Sequence, residues 1–302
     1  MTRTAIALLL CAGLAGCSTP ESRASPRRRN AAITVALGGD VLLGRGVATR
    51  ARRVGWSRLL LGAAAPLRKA DVAIVNLESP LGRCLPGGTV RTPRLCGDRR
   101  GVAALRAAGV DAVTLANNHA LDAGPAGLRR TARLLRRAGI TPLGVTAALT
   151  GRPRVERVGR LAIVAVNLTP PALSPGARVP VPSPAAVARA LRSARPRPVI
   201  LVAHLGREYD LHSGPRERAY GRAAVSAGAA AVILHGAHVR RALVYDRGTP
   251  VHLGLGNLLF DQRDPRTRIG ALVTLRIAPR GRARVIAQRC VDTRRGLLVP
   301  CP

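Results

Sequence analysis

What most restricts the fold of this chain is a repeated pattern: a short apolar, β-branched run that stops at a polar residue. Such runs lie at residues 33–37, 72–75, 112–115, 161–166, 199–203, 230–234 and 251–255. Helix-like stretches separate several of them, at 101–108, 126–138, 184–194 and 215–227. Alternation of this kind predicts a layered α/β domain with a largely buried sheet. Residues 269–277 and 284–287, on either side of Pro279-Arg280-Gly281, predict a hairpin that completes the same domain. Aromatic residues make up only 2% of the chain, so the core must be built from Leu, Val, Ala and Ile.

The residues that end the runs carry the chemistry. Asp40 closes the first run and Glu78 the second, while Asn117, Asn118 and His119 follow the third. His204 and His235 close two more, with His238 three residues further on, so four of the six histidines stand at strand exits. In an α/β protein that edge is where ligands bind. Two carboxylates, an amide and several imidazoles gathered there would make a nest of oxygen and nitrogen donors for one or two divalent ions. Taken singly, each of these residues has a plainer reading as a turn, a cap or a hydrogen-bonded core group. His212 and His252 are read as structural, His252 as a hydrogen-bonded core imidazole. The Gly-rich segment 38–46 is not a phosphate loop, because no Gly-Lys-Ser/Thr follows it.

The net charge is +34 and the pI near 12.0, yet lysine occurs once, at Lys69, among 49 basic residues. The arginines are spread along the chain without aromatic-rich stacking segments, which argues against nucleic acid as the partner. Membrane headgroups and acidic polymers suit such a surface better. At the start of the chain, Arg3 precedes a short apolar run that ends in Leu14-Ala15-Gly16-Cys17. This resembles a bacterial lipoprotein cleavage site, with residues 1–16 as signal peptide and Cys17 as the lipidated first residue. An ordinary secretory peptide is the alternative. Residues 17–30, with three consecutive arginines, read as a flexible tether, and residues 31–302 as the folded domain. The expected location is the outer face of the cell membrane. Export favours disulfides, and short separations favour Cys84 with Cys96 and Cys290 with Cys301, although four cysteines allow three pairings. A thiolate zinc site is the competing reading, with no zinc-knuckle spacing to support it.

Six ordered motifs resemble the capsule-synthesis CapA family over roughly residues 33–262. They are Gly39-Asp40 with Gly44-Arg45-Gly46; Asn76-Leu77-Glu78; Ala116-Asn117-Asn118-His119 with Leu121-Asp122-Ala123-Gly124; His204-Leu205-Gly206-Arg207-Glu208-Tyr209; His235-Gly236-Ala237-His238-Val239; and Leu255-Gly256-Asn257-Leu258-Leu259-Phe260. The resemblance implies a four-layer α/β/β/α sandwich of the calcineurin-like metallophosphoesterase type. It implies Asp40, Glu78, Asn118, His204, His235 and His238 as ligands to Mn, Fe or Zn, and His119 and Asp122 as catalytic residues. Candidate substrate contacts are Arg45, Asn76, Glu208, Tyr209 and Asn257. The function implied is a metal-dependent hydrolase or transferase acting on a poly-γ-glutamate-type polymer or a small anionic substrate. A non-catalytic scaffold for anionic polymer and a secreted phosphoesterase are the alternatives.

Overall fold

A computed structural model describes residues 31–89, 93–169, 179–194 and 198–301. Residues 1–30, on which the expected signal peptide, tether and lipidated Cys17 fall, lie outside the described residues. The first sheet has the order β14-β13-β12-β1-β2-β3-β4, with β11 also paired to β1. Its strands are β1 (Ile33–Val41), β2 (Val72–Leu77), β3 (Ala112–Thr114), β4 (Thr141–Leu143), β11 (Asn257–Leu259), β12 (Ile269–Ile277), β13 (Ala283–Asp292) and β14 (Leu297–Val299). The second sheet runs β5-β6-β7-β8-β10-β9: Val155–Val158, Leu161–Asn167, Val199–His204, Ala231–His235, Thr249–His252 and Leu243–Asp246 in that spatial order. The β1-β2-β3-β4 and β6-β7-β8 blocks are parallel, so their carboxyl ends share an edge within each sheet.

Side chains alternate faces along a strand, and this period-two split produces the layers. Ile33, Val35 and Leu37 of β1 pack with Ile163, Ile200 and Ile233 between the sheets. Ala36, on the other face of β1, packs with helices α1 (Arg45–Val54), α2 (Ala64–Lys69), α3 (Val102–Ala108) and α4 (Gly124–Arg137) through Val47, Leu67, Leu105 and Leu128. In the second sheet, Val164, Leu201 and Val232 face α6 (Pro184–Ser193) and α7 (Pro215–Ser226) through Leu191 and Ala224. A short helix, α5 (Val145–Thr150), precedes β5. Each fully buried Leu or Ile contributes about 1.5–3 kcal/mol by leaving water, enough to stabilise a core whose buried aromatics are Tyr220 and Phe260 among the described residues. The result is an α/β/β/α sandwich, two sheets packed face to face between helices.

Helices 101–108, 126–138, 184–194 and 215–227 are found within a residue or two of expectation. The run 251–255 is not one strand. Val251 and His252 belong to β10, after which the chain leaves the second sheet, and Asn257 joins the first beside Asp40. The crossing turns on Gly256, whose φ of +68° a side chain would strain. The Gly-rich segment after β1 has a packing purpose: a Cβ on Gly39 would stand 2.0 Å from the Gly256 carbonyl oxygen. Bare backbone there lets Asp40 N–H donate to that carbonyl at 2.9 Å. The expected hairpin forms, and β13 continues to Asp292 to pair with β14. Both favoured cysteine pairs are disulfides, with Cα separations of 5.6 Å for Cys84–Cys96 and 5.0 Å for Cys290–Cys301.

Candidate metal centre

The alternation that builds the inter-sheet core also builds the site. On β2, Val72 and Ile74 face the core between the sheets, and the same parity continues into Asn76 and Glu78. On β7, Ile200 and Val202 lead to His204, and on β8, Ala231 and Ile233 lead to His235. Register then aligns Asn167, His204 and His235 on one rung of the second sheet, and Asp40 with Asn76 and Asn257 in the first. Polar groups therefore replace apolar ones at the end of a single buried layer.

Asp40, Glu78 and His204 each present a ligand atom within 4.8 Å of the others, and the three are 0%, 0% and 3% exposed. Asn76 Nδ2 donates to Asp40 Oδ1 at 2.8 Å, and His235 Nδ1 lies 3.0 Å from the same oxygen. His238 Nδ1 is 3.2 Å from Asp40 Oδ2 and 3.0 Å from Asn257 Oδ1, while its Nε2 is 3.5 Å from Glu78 Oε1. His204 Nε2 is also 3.5 Å from Glu78 Oε1. Both Glu78 oxygens are buried without a hydrogen-bond partner, an expensive arrangement unless a cation meets them. The donor set of carboxylate oxygens and imidazole nitrogens suits a divalent transition ion. Asp40, Glu78 and His204 thus fit such an ion.

Burial raises the Asp40 carboxyl, but hydrogen bonds and charge from His235 and His238 outweigh it and hold the group well below the usual carboxylate range. Burial pushes Glu78 well above that range. His204 is pulled down to about 3 by burial, so at neutral pH its imidazole is uncharged and keeps a lone pair. For His238 burial acts downward, yet the charges of Glu78 and Asp40 and the Asp40 hydrogen bond raise it to about 10. A proton on His238 supplies positive charge that the carboxylates otherwise lack.

Beside this cluster opens a cleft of about 200 Å³ lined by Arg45, Asn118, His119, Glu208, Tyr209 and His238 among others. His119 Nδ1 sits 2.7 Å from Asp122 Oδ2, which leaves Nε2 as its other ring nitrogen for the cleft. Asn118 is half-buried there with a side-chain oxygen that meets no partner. Glu208 is half-exposed at the mouth, its carboxylate 4.0 Å from His238 Nε2. Tyr209 OH accepts from Gln262 Nε2 at 3.1 Å. Arg45 lies over the Phe260 ring and pairs with Asp261.

Two expected substrate contacts sit differently. Asn76 is 1% exposed, and its side-chain oxygen accepts from Thr114 Oγ1 and Asn117 Nδ2 at 2.9 and 3.1 Å. Asn257 is 0% exposed, with Nδ2 donating to Gln262 Oε1 at 2.8 Å. Both amides hold other site residues in place, because strand register carries them below the surface. Sequence reasoning also missed backbone strain: Arg45, Tyr209 and His238 have φ of +47°, +62° and +58°, and all three line the cleft. No local signal marks them. Gly236 does carry one, a glycine between two site residues; its φ is +98°, and a Cβ there would approach His204 Nε2 to 2.9 Å.

An α/β/β/α sandwich with a carboxylate–imidazole nest at its strand ends defines the class of α/β proteins built to hold a metal ion. The profile described as Bacterial capsule synthesis protein PGA_cap matches residues 34–262, and the chain belongs to that family. It is 26% identical over 275 residues to the Capsule biosynthesis protein CapA of Bacillus anthracis, covering 85% of this chain and 66% of that one. Against the PGA biosynthesis protein CapA of Bacillus subtilis (strain 168) it is 25% identical over 263 residues, covering 82% and 68%. The chain thus spans about two thirds of the length of these relatives. Among solved structures, Haemophilus influenzae NAD nucleotidase (NadN) aligns with a TM-score of 0.45 at 11% identity, over 88% of this chain and 50% of that one. TT1561 of Thermus thermophilus aligns at 0.46 and 12%, over 87% and 100%.

Proposed function

We propose that this CapA-family protein is a metal-dependent hydrolase or transferase that acts on an anionic capsular polymer of the poly-γ-glutamate type, tethered through Cys17 to the outer face of the cell membrane. The observation that carries the reading is Glu78: a fully buried carboxylate with both oxygens unpartnered, facing Asp40 and two imidazoles. Mn, Fe or Zn held by Asp40, Glu78 and His204 would polarise the bond to be broken and lower the pKa of a bound water. Neutral His204 offers its lone pair, while His235 and Asn76 fix the Asp40 carboxylate through hydrogen bonds. Asn118, which lines the adjoining cleft with its side-chain oxygen unpartnered, would add a neutral oxygen ligand. His119, held by Asp122 at Nδ1, presents Nε2 to donate a proton to the leaving group. Glu208 and Tyr209 bound the entrance and contact the substrate. The charge of +34 raises the local concentration of a polyanion.

Elemental analysis of the purified protein tests this before any substrate is chosen. At least one Mn, Fe or Zn per chain is expected, and His119→Ala should abolish turnover without unfolding the protein. A folded, metal-free protein that retains full activity would sink the proposal. Salt-sensitive polymer binding that survives both EDTA and Asp40→Ala, without turnover, would leave a non-catalytic scaffold.

A further inference from the structure

The residues beside the Cys84–Cys96 disulfide converge on Asp122, a buried residue behind the cleft-lining His119. Leu85, which follows Cys84, donates its backbone N–H to the Asp122 carbonyl at 2.8 Å. Leu95, which precedes Cys96, donates its backbone N–H to Asp122 Oδ2 at 2.6 Å. That same oxygen meets His119 Nδ1 at 2.7 Å, while Asp122 Oδ1 is buried without a partner. One backbone donor and the imidazole therefore fix the carboxylate. The Leu95 side chain packs with Leu42 and Phe260 and lines the cleft beside His119.

We propose that the Cys84–Cys96 disulfide is a positioning element for His119. It holds Leu85 and Leu95 as a two-point clamp on Asp122, and the clamped carboxylate fixes the tautomer and aim of the imidazole. A carboxylate fixed in this way orients the ring it bonds, just as the outer partners of a metal-bound histidine orient that ligand. Without the cross-link the two donors move independently, Asp122 is free to rotate, and His119 loses its fixed partner. The catalytic consequence rests on the reading of His119 as the acid; the clamp itself does not.

The test uses full-length protein labelled with 15N at histidine, with the His119 Nδ1–H resonance assigned by its loss in His119→Gln. Three proteins are compared: wild type, Cys84→Ser/Cys96→Ser, and Cys290→Ser/Cys301→Ser. The last is matched for loop length, the bridges spanning 12 and 11 residues. Exchange of the Nδ1–H with water should accelerate about tenfold or more in the first variant and stay unchanged in the second. Hydrolysis of diphenyl phosphate, a poor leaving group that needs a proton, should fall at least about tenfold further than that of bis(4-nitrophenyl) phosphate. Unchanged exchange, or equal acceleration in both variants, overturns the clamp. Faster exchange with equal losses on the two esters reduces the disulfide to a merely structural role and overturns the catalytic consequence. Wild-type protein that cleaves neither ester overturns the catalytic consequence for phosphodiesters without touching an amide-cleaving reading, while the exchange comparison still decides the clamp. If Cys84→Ser/Cys96→Ser does not fold, dithiothreitol reduction of folded Cys290→Ser/Cys301→Ser gives the same exchange readout.

Discussion

Glu78 and His252 are both buried with unpartnered atoms, and their surroundings give them opposite prospects. Glu78 faces Asp40, His204 and His238, so a cation can answer it. For wild type, Mn at about 100 times its Kd should raise unfolding free energy by roughly 2.7 kcal/mol, and Glu78→Gln should abolish the increment in urea melts with and without Mn. His252 has no such neighbours. Its Nδ1 accepts from Gly254 N–H at 3.4 Å, its Nε2 has no partner, and burial pulls it down to about 4. It is therefore a core imidazole, only half hydrogen-bonded. A histidine depressed by folding stabilises fully above its unfolded value near 6.5. The unfolded chain gains the proton first as pH falls, so stability drains between about 6.5 and about 4. His252→Leu should lose roughly 3 kcal/mol less than wild type over that interval, measured by urea melts at both ends.

At the scale of elements, the loops are braced from beneath. Arg241 is 5% exposed; its NH1 pairs with Glu217 at 3.0 Å, and its Nε and NH2 donate to the carbonyls of Asp210 and Arg207 at 2.7 and 3.2 Å. The loop that carries Glu208 and Tyr209 hangs on that guanidinium. Arg241→Met leaves Glu217 buried and unpaired, so a loss of about 3–5 kcal/mol is expected in denaturant unfolding, with faster amide exchange at residues 207–210. The Cys290–Cys301 bridge joins β13 to the segment after β14, and neither cysteine lines the cleft. Breaking it should cost about 3 kcal/mol from chain entropy and leave metal content unchanged, read by thermal unfolding beside elemental analysis.

The molecule as a whole carries a large excess of positive charge, +34. Among the described residues no helix is long and apolar enough to cross a membrane. With 49 basic and 15 acidic residues, attraction for polyanions acts over a Debye length and is screened by salt. Association with poly-γ-glutamate should weaken about tenfold or more between about 0.05 M and about 0.5 M salt. Fluorescence anisotropy of labelled polymer checks this, and an affinity insensitive to salt would contradict it.

The sequence by itself determined what depends on neighbours along the chain. Apolar runs and their polar ends specified the central strands, though not the short outer ones, and with them the fact that Asp40, Glu78, His204 and His235 stand at strand exits. Cysteine separations pointed to both bridges. Only the tertiary structure decided which of those ends meet, because that depends on register between strands more than a hundred residues apart. Register turned Asn76 and Asn257 inward as supports, while tertiary packing of the loops placed Arg241 under a loop more than thirty residues before it. It also brought the residues beside Cys84 and Cys96 onto Asp122. Period-two alternation is a local property, but which face becomes interior is settled only when a second sheet covers it.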